Sequence, residues 1–201
     1  MRAAVVRGLR AARAIGVAAG AAALAPASGA SAPNSGRITD VIEPDYEIYK
    51  ANVDRYLARR CGTLDCHGQP GRAYRIYGRE GFRLYTVGDG GLVSGQQPTV
   101  EEEVRANFDA IVALEPEEMS RAMARQGERE AVQRLIFVRK PLRLERHKGG
   151  PAMAEDDPGY RCVEAWLQVP VVRGDGTPIP PNERVFPERA KQFCQEAESF
   201  P

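Results

Sequence analysis

The sequence has few of the residue types on which most active sites depend. Histidine occurs only twice and cysteine four times among 201 residues, and there is a single tryptophan. No glycine-rich phosphate loop, Ser-His-Asp set or two-histidine zinc motif is present in it, so hydrolase and nucleotide-dependent chemistry have no support. No run reaches the roughly 18 apolar residues of a membrane-spanning helix. With 43% hydrophobic and 27% charged residues, the composition is that of a globular chain long enough for one domain.

An excess of positive charge is also missing. The whole chain has 28 basic and 27 acidic residues, but four arginines lie in residues 1–32, which contain no acid. Without that segment 24 basic residues face 27 acidic ones, and the net charge is near −3. A chain of this charge gives no reason to expect a nucleic acid as partner.

Residues 1–32 have the features of an export signal. An arginine-bearing start precedes an alanine-rich apolar stretch at residues 14–25, and small residues with A-x-A-like spacing follow. The alternative is an alanine-rich helix or tail that stays attached. We expect a signal peptide and export to the periplasm or cell envelope, with no integral membrane span after its removal. Such a compartment is oxidising, so the cysteines can be paired or carry a covalent haem.

Helical periodicity dominates the rest of the chain, so we expect a mainly α fold. Asp45 can cap a helix that runs into Cys61. "TVEE", residues 99–102, has capping-box spacing before a second helix, and a further helical region spans residues 117–139 until Pro141. Asp157 followed by Pro158 predicts another helix start. A last helix is expected near Pro187, after a loop at residues 169–184.

The glycine-punctuated segment between Gly71 and Gly95 breaks this pattern. "AYRIY" and "FRLY" alternate well enough for two short strands or for extended loops. We expect a glycine-rich extended insertion there and no sheet. Its arginines are either a charged solvent face or partners for anionic groups such as haem propionates. They are Arg72, Arg75, Arg79 and Arg83.

The stretch "RCGTLDCHGQPG", residues 60–71, combines the scarce residue types. Cys61 and Cys66 have four residues between them, and His67 follows directly. A c-type haem is held by two thioether bonds, and a histidine after the second cysteine binds its iron. The usual motif has two intervening residues. An outward bulge would accommodate the two extra ones, and Gly62 suits a bulge because glycine tolerates positive φ.

Two other readings of this stretch remain open. Cys61 and Cys66 can form a disulfide across a short loop, which leaves His67 an ordinary polar residue. Alternatively, all three residues can join a further ligand around zinc. Adjacent Cys66 and His67 point in different directions, and structural zinc sites prefer two separated pairs, so zinc is the less favoured of the two.

Four segments in order carry a resemblance to a known family. They are "YKANVDRYLARRCGTLDCHG", "GRAYRIYGREGFRL", "RLIFVRKPLRLERHKGG" and "DDPGYRCVEAWL". Together they resemble the cytochrome c-like domains of exported bacterial proteins. The resemblance implies a mainly helical domain at residues 38–168 with one haem c, attached through Cys61 and Cys66 and ligated by His67. Residues 169–201 are then a C-terminal loop and helix packed on that domain.

The sixth position of such a haem has two candidate ligands. His147 is the second histidine of the chain, and Met153 stands six residues later. Histidine would give a lower reduction potential and methionine a higher one. We favour His147, so that His67 and His147 are the metal ligands, because the H-x-G-G stretch belongs to the resemblance. The alternative is a solvated loop histidine between Arg146 and Lys148.

The other two cysteines, Cys162 and Cys194, also allow two readings. A disulfide between them would close a loop of about 32 residues and stabilise the fold by about 3–4 kcal/mol in the chain-entropy model. The alternative is a pair of buried free thiols.

These observations predict an exported monohaem c-type cytochrome or redox module that transfers electrons to or from a protein of the cell envelope. It is expected to be an electron carrier rather than a hydrolase or transferase. The alternative, from a different class, is a haem-free, disulfide-stabilised envelope domain with a binding or structural role.

Overall fold

Asp45 begins the first helical rod, because its carboxylate accepts the backbone N–H of Ile48 at 2.8 Å. In the computed structural model, which describes residues 40–84 and 97–199, the rod comprises α1 (Tyr46–Ile48), a π-helical stretch (Tyr49–Val53) and α2 (Asp54–Cys61). The predicted helix from Asp45 to Cys61 is confirmed. The π-helical stretch within it was not predicted.

The second predicted helix is present, but its cap differs from the sequence prediction. Helix α3 (Glu101–Leu114) starts one residue after Val100, whose N–H donates to the Glu103 carboxylate at 3.1 Å. The capping acid is therefore Glu103 rather than Glu102. Thr99 instead accepts the N–H of Arg79 through its hydroxyl.

The helical region that follows is divided into three short helices. These are α4 (Pro116–Ala124), α5 (Arg129–Arg134) and α6 (Ile136–Arg139). The break after α4 has Gln126 and Gly127 at positive φ. A Cβ at Gly127 would lie 2.2 Å from the Leu167 carbonyl oxygen, so only glycine allows the turn to pack this closely against a later helix. The region ends before Pro141, as predicted.

The last two helices pack against each other and share a disulfide. Asp157 caps α7 (Pro158–Leu167) by accepting the N–H of Tyr160, which confirms the predicted start. Helix α8 (Glu188–Ser199) follows the proline-rich loop near Pro187, as expected. Cys162 and Cys194 are bonded and almost fully buried, so the disulfide reading of this pair holds.

Turns and irregular backbone without a sheet follow α2 over residues 62–84. In residues 62–84 the only ladder contact is an isolated bridge between Tyr77 and Phe82. The described residues thus form a mainly α fold, as predicted. The predicted signal segment, residues 1–32, and part of the glycine-rich insertion, residues 85–96, lie outside the described residues. No helix in residues 40–84 or 97–199 has the length and apolar character to cross a membrane.

Trp166 lies at the centre of the core. Its side chain is fully buried, with its ring centre 5.1 Å from that of Tyr49 and 6.3 Å from that of Phe108. The indole N–H donates to the Asp45 carbonyl at 2.8 Å. One side chain of α7 thereby contacts both the first rod and α3.

A buried polar network ties the first rod to the extended segment. Asp54 is almost fully buried and accepts from the Tyr49 hydroxyl and the Asn107 amide, each at 2.9 Å. Asn107 also donates to the Tyr77 carbonyl and accepts from the Tyr77 N–H. The side chains of α2 and α3 thus fix the backbone between residues 62 and 84 from the inside.

The disulfide should contribute a large share of the stability. Replacing Cys162 and Cys194 together by alanine is expected to lower the free energy of unfolding by about 3–4 kcal/mol, because the bond restricts the unfolded chain. Urea unfolding of oxidised wild type and the double variant, followed by circular dichroism, measures the difference. Both proteins keep Cys61 and Cys66, so those thiols cancel. A loss below about 1 kcal/mol would contradict the expectation.

Asp54 should make stability depend on pH. Burial raises the pKa of its carboxyl group, although hydrogen bonds from Asn107 and Tyr49 oppose the rise. Since the folded pKa lies above the unfolded value of about 4, the contribution of this group is largest in acid and is lost as pH rises through the folded pKa. Wild type should therefore lose stability relative to Asp54→Asn between pH 4 and 7 in urea titrations. A difference that stays constant over this range would refute the expectation.

Candidate functional site

The Cys61–His67 stretch forms a compact turn directly after α2. The His67 N–H donates to the Cys61 carbonyl at 2.8 Å. The Thr63 carbonyl accepts from the N–H groups of both Cys66 and Gly68 at 2.9 Å. The four intervening residues are therefore folded as one tight turn, and this turn brings His67 back to the end of α2.

Glycines make this turn possible by close packing rather than by positive φ. Gly62 has φ −83°, so the positive φ that glycine tolerates is not used at this residue. Instead, a Cβ at Gly68 would lie 1.8 Å from the Gly62 carbonyl oxygen, and one at Gly81 would lie 1.9 Å from the same atom. Three glycine backbones thus meet where no side chain fits.

His67 is held by its backbone and by its ring. The carbonyl of His67 accepts the N–H of Ile76, and its ring Nδ1 lies 2.8 Å from the Tyr74 carbonyl oxygen. A carbonyl can only accept, so Nδ1 carries the proton and Nε2 keeps its lone pair. Burial lowers the pKa of the His67 imidazole, which favours the neutral ring.

His147 has the same arrangement on a separate loop. Its Nδ1 lies 2.7 Å from the Gly150 carbonyl oxygen, so Nδ1 carries a proton and donates it to that oxygen. The ring packs on Gly149, where a Cβ would lie 3.2 Å from Cε1. Gly150 has φ +76°, a conformation that glycine adopts readily. The two glycines of the H-x-G-G stretch therefore set the orientation of the ring.

The structure brings the two histidines together from positions 80 residues apart. Their rings are parallel within 6°, and the ring centres are 6.2 Å apart. Two imidazoles that bind one metal ion in line with each other, with metal–nitrogen bonds of about 2.0–2.1 Å, would have ring centres roughly 6.3 Å apart. Among the described residues, no donor hydrogen-bonds to either Nε2. The two rings thus form a parallel, stacked pair, and the distance between their centres is close to that expected for in-line ligation of one ion.

The thiols do not support the two other readings of the motif. The sulfurs of Cys61 and Cys66 are not bonded to each other, so the short-loop disulfide is absent. Burial raises the pKa of the Cys61 thiol to about 12, so the side chain is a neutral thiol. In residues 40–84 and 97–199 no three His, Cys, Asp or Glu side chains are arranged to hold a metal ion.

Other predicted residues have roles away from a ligand position. Met153 is 4% exposed and belongs to the hydrophobic core. Arg83 is buried in an ion pair with Glu103 at 2.7 Å, so it is committed to the fold. Arg72 donates to the Cys66 carbonyl at 3.0 Å and thereby supports the turn that carries His67.

Two partners of the histidines were missed by the sequence analysis. Tyr74 and Gly150 act through backbone carbonyls, and every residue has one, so residue type gives no signal for Tyr74. For Gly150, its position three residues after His147 in the H-x-G-G stretch was a signal from which the contact could have been predicted.

Two surface clefts of about 470 and 430 Å³ lie elsewhere on the molecule. The larger lies between α7 and α8, beside Arg161 and Phe193. The smaller is lined by Glu115, Arg139 and Leu144 among others. Neither cleft is lined by a histidine.

The glycine contact in the motif turn gives a direct test of this geometry. Gly68→Ala should destabilise the fold by about 2–3 kcal/mol, because its Cβ would clash with backbone that cannot move aside. Gly174→Ala is the matched control, since a Cβ there meets nothing within 4 Å. Thermal unfolding of both variants measures the effect. Equal melting temperatures for the two variants would contradict this packing.

Comparisons with known proteins found no relative of this chain. No protein-family model, curated protein or solved structure matches it. The functional argument therefore depends on the site residues and their geometry alone.

Proposed function

We propose that this protein is an exported monohaem c-type cytochrome or redox module that carries out electron transfer. Cys61 and Cys66 are the attachment points of the haem, His67 is the proximal ligand and His147 is the distal ligand. The observation that carries the proposal is the parallel pair of imidazoles with ring centres 6.2 Å apart and both Nδ1 atoms bonded to carbonyls.

The residues at the site fit a haem in two respects. Two thiols and a histidine follow each other on one turn, as covalent attachment and proximal ligation need. A second histidine lies with its ring parallel to the first, at 6.2 Å between ring centres, on a loop from a distant part of the chain. Haem, when bound, supplies a one-electron iron couple whose potential is set by its axial ligands, hydrogen bonds and burial.

The chain itself orients both ligands through their second nitrogens. Donation from Nδ1 to a carbonyl fixes the tautomer and makes Nε2 more basic, and this applies to His67 through Tyr74 and to His147 through Gly150. His147 as distal ligand favours a lower reduction potential than Met153 would. The buried Met153 side chain then serves the core.

Export to the cell envelope is part of the proposal. The buried Cys162–Cys194 disulfide supports it, because such bonds persist in oxidising compartments. The proposed partner is an electron donor or acceptor protein of the envelope. The signal-like composition of residues 1–32 supports the same compartment.

The second candidate function is a haem-free envelope domain with a binding role. The disulfide between α7 and α8 supports this candidate as much as it supports the cytochrome proposal, since that bond stabilises the fold without any cofactor.

Haem attachment is the deciding measurement. The full chain, exported from a host with the c-type haem maturation machinery, should be red, with a haem-sized mass increase that survives denaturation. His67→Ala should lose the low-spin absorption bands. A colourless wild-type protein under these conditions would overturn the cytochrome proposal and favour the second candidate.

The identity of the distal ligand has its own test. His147→Ala should convert the haem to a high-spin or water-ligated form and raise its reduction potential, because the imidazole is lost. Met153→Leu is the matched control and should leave the spectrum unchanged, since a buried methionine tolerates leucine. The reverse pattern, with Met153→Leu changing the spectrum, would assign the sixth ligand to Met153.

A further inference from the structure

The loop that carries His147 is held at its first half by an ion-pair cluster. Arg139, the last residue of α6, donates from Nε to the Glu145 carboxylate at 2.7 Å. The same guanidinium makes a two-pronged contact with Glu115, at 2.9 and 3.1 Å. Lys140 adds an ion pair to Glu145 at 3.1 Å. A residue two positions before His147 is thus connected to the junction of α3 and α4.

Glu115 is itself held in place by a backbone hydrogen bond. It lies between α3 and α4 and accepts the N–H of Ile136, the first residue of α6, at 2.5 Å. The main chain supports the same turn, because the N–H groups of Leu144 and Glu145 both donate to the Arg139 carbonyl.

The second half of the loop is held from the other side. The N–H groups of Ala152 and Met153 donate to the Pro141 carbonyl, which closes the base of the loop. Arg60, directly before Cys61, donates to the Ala152 carbonyl at 3.1 Å. The loop between these two attachments contains His147, whose only side-chain hydrogen bond within the described residues is to Gly150.

We infer that the Glu115–Arg139–Glu145 cluster is the positioning device of His147, with Glu145 as the residue that acts on the loop. The cluster touches no proposed ligand atom, and acts by restricting the loop so that the imidazole stays opposite His67. The role in iron ligation rests on the proposed function, whereas the ordering of the loop does not. These two parts can be measured separately.

Ordering of the loop is tested in haem-free protein with trypsin. Arg143, Arg146 and Lys148 are exposed and make no ion pair within the described residues, so they are natural cleavage sites. Glu145→Gln keeps the side-chain shape and removes the charge. It should speed cleavage within residues 143–149 by about two- to fivefold, the range expected for a partly exposed ion pair.

The matched control for this substitution is Glu128→Gln. Glu128 forms a comparable contact with Arg125, at 3.1 and 2.7 Å, in the turn after α4. Loss of that pair should leave cleavage of the His147 loop at the wild-type rate. Arg139→Gln should match Glu145→Gln, and the double variant should add little. If Arg139→Gln fails to fold because Glu115 loses its partner, the comparison of the two glutamate variants still decides.

Positioning of the ligand is tested in the haem-bearing protein with carbon monoxide. A distal histidine must leave the ferrous iron before carbon monoxide binds, so a looser loop raises the binding rate. Glu145→Gln should raise it by about two- to fivefold and Glu128→Gln should not. Free imidazole should restore the low-spin spectrum of any variant that has lost His147 from the iron.

The outcomes distinguish the inference from the proposed function. Wild-type cleavage and carbon monoxide rates in Glu145→Gln would overturn the inference while leaving a cytochrome intact. A protein without haem would refute the cytochrome proposal. The trypsin comparison would still test whether the cluster orders the loop. Faster cleavage with an unchanged carbon monoxide rate would show an ordered loop that does not position His147, and so would also overturn the inference.

Discussion

The packing of Trp166 between the first helical rod and α3 is the interaction on which the site depends. Its indole N–H binds the Asp45 carbonyl, and its ring lies against Tyr49. Tyr49 donates to Asp54, which also binds Asn107, and Asn107 in turn holds the backbone at Tyr77. Through these contacts the helix that ends at Cys61 and the segment that supplies the Tyr74 carbonyl are fixed to one core. His67 is oriented because both of its supports are rigid.

His67 and His147 are held in place by different kinds of contact. His67 is set by a turn in which glycine backbones meet too closely for any side chain. His147 is set by a loop whose two ends are attached, one through Arg139 and Glu145 and the other through Arg60. Each imidazole donates Nδ1–H to a backbone carbonyl, and this contact fixes the orientation of its ring.

Much of the fold followed from local patterns in the sequence, and the failures have physical causes. Caps at Asp45 and Asp157 and the stop at Pro141 were predicted correctly, because the capping bonds and the missing proline N–H are local effects. The cap of α3 was misplaced by one residue, since Glu103 is drawn inward by its buried pair with Arg83, a contact 20 positions away. The helical region at 117–139 was not seen to break, because Gly127 is required by its contact with the end of α7.

The sequence by itself determined the helical elements and the scarcity that singled out Cys61, Cys66, His67 and His147 as candidates. Residue type and short spacing are enough for this, because helix periodicity and motif chemistry act over a few residues. Only the tertiary structure decided that Cys162 bonds Cys194, that Met153 belongs to the core, and that the two imidazoles lie parallel 6.2 Å apart. The disulfide and the ring pair join segments 32 and 80 residues apart, and no local pattern specifies contacts over such separations.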